Sequence, residues 1–271
     1  MQEACMKYVL DHDYHIHSLL SQCSSDPEQT PESILKTAKA LGLTSIALTD
    51  HFWDEDVPGA SEWYKTYHKF TDIVKSCPLP TDGEVEFLFG CETDMDKNGV
   101  IGLSRDKFNA FDFIIVSTTH LHMKGFTVSE EDYPDTGRLA ELWVQRFDTL
   151  LDSDLPFGKV GVAHLTSICI GVENDRFVEV IGKIPQMQMR RLFTKAAAAG
   201  LGIELNASDF YNREQHFDAM LRPFIIAKEC GCKFYFGSDA HKVREFRSYG
   251  ICQRIIDSLG LLEEDKFRIA R

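Results

Sequence analysis

Seven short apolar runs alternate with helical patterns along this chain, and each delivers a histidine or a carboxylate where it ends. The runs span 14–17, 45–49, 85–90, 113–117, 159–163, 202–205 and 233–237. They are rich in β-branched or aromatic residues, bounded by turn residues and apolar on both faces, which is the pattern of buried parallel strands. Helical spacing fills the gaps between them. Thr30 and Pro31 open a segment whose stripe of Ile34, Leu35, Ala38 and Leu41 ends at Gly42. Residues 138–151, 186–199 and 217–230 repeat the spacing, the last two before Gly200 and Gly231. With no Pro/Ser-rich linker and no internal repeat, this rhythm predicts one α/β barrel domain over 1–271. An open doubly wound sheet fits the same strand count.

The strand ends carry the chemistry. The first run reads DYHIH, so alternation puts Asp13, His15 and His17 on one face. The second ends Thr49-Asp50-His51, the third in GCETD with Glu92, and the fourth in STTHLH with His120 and His122. His164, then Glu204 and Asn206, then Asp239 and His241 close the remaining three. In a parallel barrel these ends share one face, where barrel enzymes build their sites. Any one of these histidines alone reads equally well as a core or surface residue; seven strand ends together do not. Imidazoles and carboxylates without clustered thiolates suit zinc, manganese or iron, and more than four candidate ligands imply more than one ion.

Charge and cysteine usage narrow the partners. A net charge of −13 disfavours a long nucleic-acid partner and an anionic membrane surface. No apolar run approaches the roughly 20 residues of a membrane helix. The eight cysteines form no CxxC pair, and the first residues lack a secretory layout, so a cytoplasmic protein is expected. The oligomeric state is not legible.

DYHIH, TDH, GCE, the single His120 and His164, and GSDAH together resemble the polymerase-and-histidinol-phosphatase (PHP) family of metal-dependent phosphoesterases, in the family's order from about 13 to 241. The histidinol-phosphatase branch is the most similar, through STTH, VAHLT and the insertion after TDH. The resemblance implies a distorted (β/α)7 TIM-like barrel and a di- or trinuclear site. One metal would be held by His15, His17, Glu92 and Asp239, with Glu92 bridging to a second held by His120 and His164. His51 and His241 would hold a third, completed by a ligand from the loop SLLSQCSSDPE, either Cys23 or Asp26. Where that branch carries an arginine after strand six, this chain has Tyr211; Arg213, Arg244 or Arg247 is expected to take the phosphate instead.

The expected chemistry is hydrolysis of a small phosphate monoester, histidinol phosphate being one candidate. Asp50 would orient a neighbouring ligand or cap the loop after it, and His122 would protonate the leaving oxygen. A phosphodiesterase with the same metals, and a metal-binding barrel without activity, are the alternatives. The aromatics of 52–70 and 123–136 either grip an organic leaving group or pack those loops down.

Overall fold

Thr30 accepts the Ser33 amide at 3.3 Å, Pro31 sits in the first turn, and α1 (Pro31–Ala40) buries Ile34, Leu35 and Ala38. The computed structural model describes residues 6–173 and 175–270, with backbone alone over 247–249. Eight parallel strands form its sheet: β1 (His12–Ile16), β2 (Ser45–Leu48), β3 (His51–Phe52), β4 (Glu86–Asp94), β5 (Phe113–Ser117), β6 (Val160–Ala163), β7 (Gly202–Asn206) and β8 (Lys233–Gly237). Seven run in the order β1-β2-β4-β5-β6-β7-β8, and the two-residue β3 pairs only with β4. Where β1 ends, Ile16 bridges Ala240 just past β8 in parallel, and the Asp239 amide donates to the His15 carbonyl at 2.8 Å. The sheet thus curls round to a nearly closed barrel, and the open doubly wound alternative is excluded.

The helices α2 (Glu62–Tyr67), α3 (Phe70–Ile73), α4 (Thr136–Leu151), α5 (Arg176–Lys183), α6 (Gln186–Ala199), α7 (Ala207–Phe210), α8 (Phe217–Glu229) and α9 (Tyr249–Leu259) complete the chain. Trp143 and Phe147 of α4 meet Phe193 of α6 in the large core between barrel and helices. Inside the barrel Ala47, Phe113, Ile115, Ala163 and Tyr235 pack with Phe267 from the C-terminal segment. Gly161 is required there, because a Cβ would overlap the Tyr235 ring.

One strand boundary differs from the sequence reading. The third run was expected to stop at Gly90, yet β4 continues to Asp94. Gly90 makes no turn: a Cβ on it would lie 2.7 Å from the Phe113 carbonyl oxygen, so the residue permits close approach of β5. The first half of β4 pairs with β2 and the second with β3 and β5, which places Glu92 and Asp94 inside a strand, on one face.

Candidate metal centre

Glu92 is 1% exposed and stands at the middle of the imidazoles delivered by the strand ends. Its Oε2 lies 3.4 Å from His15 Nε2, 3.3 Å from His17 Nε2 and 3.1 Å from His51 Nδ1. Its Oε1 lies 3.4 Å from His164 Nε2 and 3.9 Å from His120 Nε2, and accepts from Ser117 Oγ. Asp239 Oδ1 lies opposite, 3.5 and 3.3 Å from the Nε2 atoms of His15 and His17. His164 and Asp239 both adopt left-handed backbone, φ 61° and 54°. Outside glycine such backbone costs about 1–3 kcal/mol, and it collects at functional sites.

The far nitrogen of each inner imidazole is held in turn. Glu204 Oε1 lies 2.6 Å from His15 Nδ1, Asp94 Oδ1 2.8 Å from His120 Nδ1, and Asp209 Oδ1 3.2 Å from His164 Nδ1. Tyr64 donates to the other oxygen of Asp94. His17 Nδ1 meets Ser21 Oγ at 3.1 Å, and Asp50 accepts from Ser21 Oγ at 2.6 Å and from both the amide and hydroxyl of Ser18. Asp50 therefore acts on His17 through Ser21 and fixes the loop after β1. Carboxylate partners of this kind fix a ligand's tautomer and raise its basicity.

The electrostatics match this packing. Burial alone would raise the Glu92 carboxyl, but His51, His15 and His164 hold it well below the usual range. Burial favours neutral His15 and His164, yet the surrounding carboxylates push both well above the usual imidazole value. Carboxylates concentrated enough to draw protons onto these rings would equally draw a divalent cation. Among the described residues, no hydrogen bond of acceptable geometry reaches Glu92 Oε2 or His51 Nδ1, although both are buried. Three groups of donor atoms converge to within 4.8 Å: His15, Glu92 and His164; His15, His17 and Asp239; and His17, Cys23, His51 and His241. The donor set fits divalent ions.

The structure departs from the sequence reading at Asp26 and Arg244. Cys23, not Asp26, joins the third group. Asp26 Oδ1 instead accepts the Glu28 amide, and Asp26 lines a separate depression beside α1 together with Arg244. Two tight turns after Ser18 spend the loop before it reaches Asp26. Arg244 is exposed there, away from the imidazoles, and the Arg247 side chain lies outside the described residues. His122 lines the centre as expected, its ring 5.4 Å from that of His120, and burial and neighbouring His120 push it down to about 4. Asp13 is not among the donors: its Oδ1 accepts the amides of His15 and Ser238, tying β1 to the end of β8.

A cavity of about 200 Å³ opens over the donors, lined by His122, Ser167, Cys169, Ser208 and Arg213 besides the clustered imidazoles and carboxylates. Arg213 is half-buried, and its Nη1 donates to the carbonyls of Ser208, Asp209 and Tyr211. A larger depression of about 1000 Å³ lies at the opposite end of the barrel, around Asp11, Thr44 and Phe267, and includes none of the clustered donors. Trp53 and Tyr64 are buried and both meet Phe126, so the two aromatic loops mainly pack one another down; Trp63 and Tyr67 alone stay open, 60% and 40% exposed. Sequence reasoning missed Asp94 and Asp209. Asp94 had a signal, since GCETD alternates it with Glu92, whereas Asp209 meets His164 only through the fold.

A parallel barrel that gathers imidazoles and carboxylates at its strand ends is the architecture of a barrel metalloenzyme. The chain belongs to the PHP family: residues 13–208 match the model of the PHP domain. A protein of Caldanaerobacter subterraneus subsp. tengcongensis named a probable phosphatase is 26% identical over 96% of this chain and 87% of its own length. One of Caldicellulosiruptor bescii with the same description is 23% identical over 91% and 86%. The histidinol phosphate phosphatase of Lactococcus lactis, solved with zinc, L-histidinol and phosphate, superposes with a TM-score of 0.59 at 18% identity over 96% of this chain and 99% of that one. That likeness shows the distorted TIM-like barrel fold.

Proposed function

We propose that the chain is a metal-dependent phosphatase that hydrolyses a small phosphate monoester at this mouth. The observation that carries the reading is the ring of imidazoles, with Asp239, gathered round the buried Glu92 carboxylate. His15, His17, Glu92 and Asp239 would hold one divalent ion, and Glu92, His120 and His164 a second. Zinc fits these nitrogen and oxygen donors, and manganese or iron are the other candidates. Such ions set positive charge against phosphoryl oxygens and acidify water beside them.

The rest is done by the chain. Glu204, Asp94 and Asp209 hold three imidazoles in the tautomer that turns a lone pair inward. Asp50 and Ser21 steady His17 from behind. Arg213, pinned to three carbonyls at the cavity rim, takes the anchoring role that Tyr211 cannot, and its remaining donors are the ones to meet a phosphoryl oxygen. A cavity of about 200 Å³ admits a phosphoryl group and the start of a small organic moiety. Together with the net charge of −13, it favours a small phosphorylated metabolite over long nucleic acid. Histidinol phosphate is the first substrate to try. No described helix is long and apolar enough to cross a membrane, and the seven described cysteines are free, which supports a cytoplasmic setting.

The test is a rate comparison. Metal-loaded protein is offered p-nitrophenyl phosphate, histidinol phosphate and bis-p-nitrophenyl phosphate. Monoesters are expected to react faster, and Arg213→Ala to raise KM for them. A faster diester would transfer the reading to a phosphodiesterase, and no turnover of any ester by protein with full metal would sink both.

A further inference from the structure

The carboxylates behind the inner imidazoles differ in what holds them in turn. Glu204 Oε2 accepts the His164 amide at 3.2 Å and the Asn206 side-chain amide at 3.1 Å, both from the barrel's own strand ends. Asp94 is completely buried, and its Oδ1 lies 2.8 Å from His120 Nδ1. Among the described residues, only the Tyr64 hydroxyl reaches its other oxygen. Tyr64 belongs to α2, a helix that stands outside the barrel strands between β3 and β4. Its backbone is fixed at both ends: Ser61 Oγ accepts its amide at 3.1 Å, and His68 Nδ1 donates to its carbonyl at 2.8 Å. Its buried ring lies 4.2 Å from that of His68 and 4.7 Å from that of Phe126. Burial and then Asp94 push the phenol well above its usual value, so it keeps its proton and donates.

From this arrangement we infer that Tyr64 is a positioning residue for the second ion: through Asp94 it fixes His120, so a helix outside the barrel sets how tightly that ion is held. The inference rests on the reading in which Glu92, His120 and His164 hold that ion. A carboxylate fixed at both oxygens gives His120 Nδ1 a steady acceptor and leaves the Nε2 lone pair facing Glu92, 3.9 Å from its Oε1. Without the hydroxyl, one oxygen of a fully buried carboxylate has no donor, which is where a missing hydrogen bond costs most. Asp94 is then free to rotate, and His120 loses the orientation that an ion needs. His15 is spared, because Glu204 behind it is held by the barrel itself. The loss therefore falls on one ion.

The experiment titrates metal-stripped full-length protein with zinc against a chelating dye and records cobalt(II) spectra in parallel. Tyr64→Phe keeps the ring beside His68 and Phe126 and removes only the hydroxyl. It is expected to weaken one ion by about 10-fold or more and to alter that ion's visible cobalt bands. The other ion should bind as before, and so should both ions in the control Tyr67→Phe, an exposed tyrosine of the same helix. Because Tyr64 acts through Asp94, the same change in an Asp94→Asn chain should add less than about 2-fold, whereas a role in packing α2 would add its full loss there. Unchanged affinity in Tyr64→Phe, or an equal loss in both backgrounds, would overturn the inference. His120→Ala tests the reading beneath it: loss of one ion supports the two-ion centre, and two ions bound as before would remove both. None of these readouts needs turnover, so an inactive protein that shows them loses the phosphatase reading alone.

Discussion

Asp209 and Glu204 show how much of the centre depends on residues that need not touch an ion. Each carboxylate holds the far nitrogen of an imidazole whose near nitrogen points at Glu92 or Asp239. Asparagine at 209 could present its amide N–H to His164 and favour the wrong tautomer. Asp209→Asn is therefore expected to weaken metal binding or activity by roughly 10- to 100-fold. Chelator competition reads the affinity, and circular dichroism should find the fold unchanged. An unaltered affinity would show that His164 needs no such partner. The same crowding explains Gly237, where a Cβ would run into Glu204 and His15. At this scale the sequence brings the candidate donors into view, because period-two alternation and strand ends are local properties. It hides their partners: 45 residues separate His164 from Asp209 and 189 separate His15 from Glu204. That the loop brings Cys23 and not Asp26 beside His51 and His241 was equally hidden, since it turns on how far two tight turns let the loop reach.

Between elements, α4 positions the centre by reaching under it. Arg146 is 4% exposed, and its guanidinium donates to the carbonyls of Met95 and Asp96 after β4, Thr118 after β5 and Thr127 beyond. Burial pushes it down to about 10, with Asp94 and Asp96 opposing, so it stays charged at neutral pH. Those carbonyls belong to the segments that carry Asp94 and His120. Replacing Arg146 with methionine fills the space but orphans buried carbonyls, each costing about 1–3 kcal/mol. Arg146→Met should thus lose about 3 kcal/mol or more in urea unfolding. Arg222, half-buried and bound to two carbonyls, is the matched control and should lose less on the same change. Helix periodicity marked α4 and puts Arg146 on its apolar face, three residues after Trp143 and four after Leu142, but spacing alone gave no hint of the carbonyls that its charge would meet there. The length of β4 was hidden for a similar reason: glycine reads as a stop in sequence, and only the neighbouring Phe113 carbonyl reveals it as a close approach.

Over the whole molecule, the net charge of −13 includes Glu92, Asp94, Glu204, Asp209 and Asp239, all concentrated at one end of the barrel. Asp50 and Asp13 spend their charge on hydroxyls and amides and leave the cations to the others. Three divalent ions would bring the balance to about −7 and make the mouth attractive to a phosphate while the outer surface stays acidic. The ions are then also part of what holds the barrel shut, since His15, His17, Asp239 and His241 join the first and last strands across the closure. Ligands that bind only the native state stabilise it by about 2.7 kcal/mol at a hundredfold excess over Kd. For a domain of this size that gain corresponds to roughly 5–10 °C in Tm. Zinc-loaded protein should therefore melt that much higher than chelator-treated protein in scanning calorimetry. Glu92→Ala, which removes the carboxylate shared by the inner donors, should shrink most of the gap. Equal melting temperatures for loaded and stripped protein would mean that the barrel closes on protein contacts alone and that the carboxylates at its mouth serve the chemistry without serving the fold.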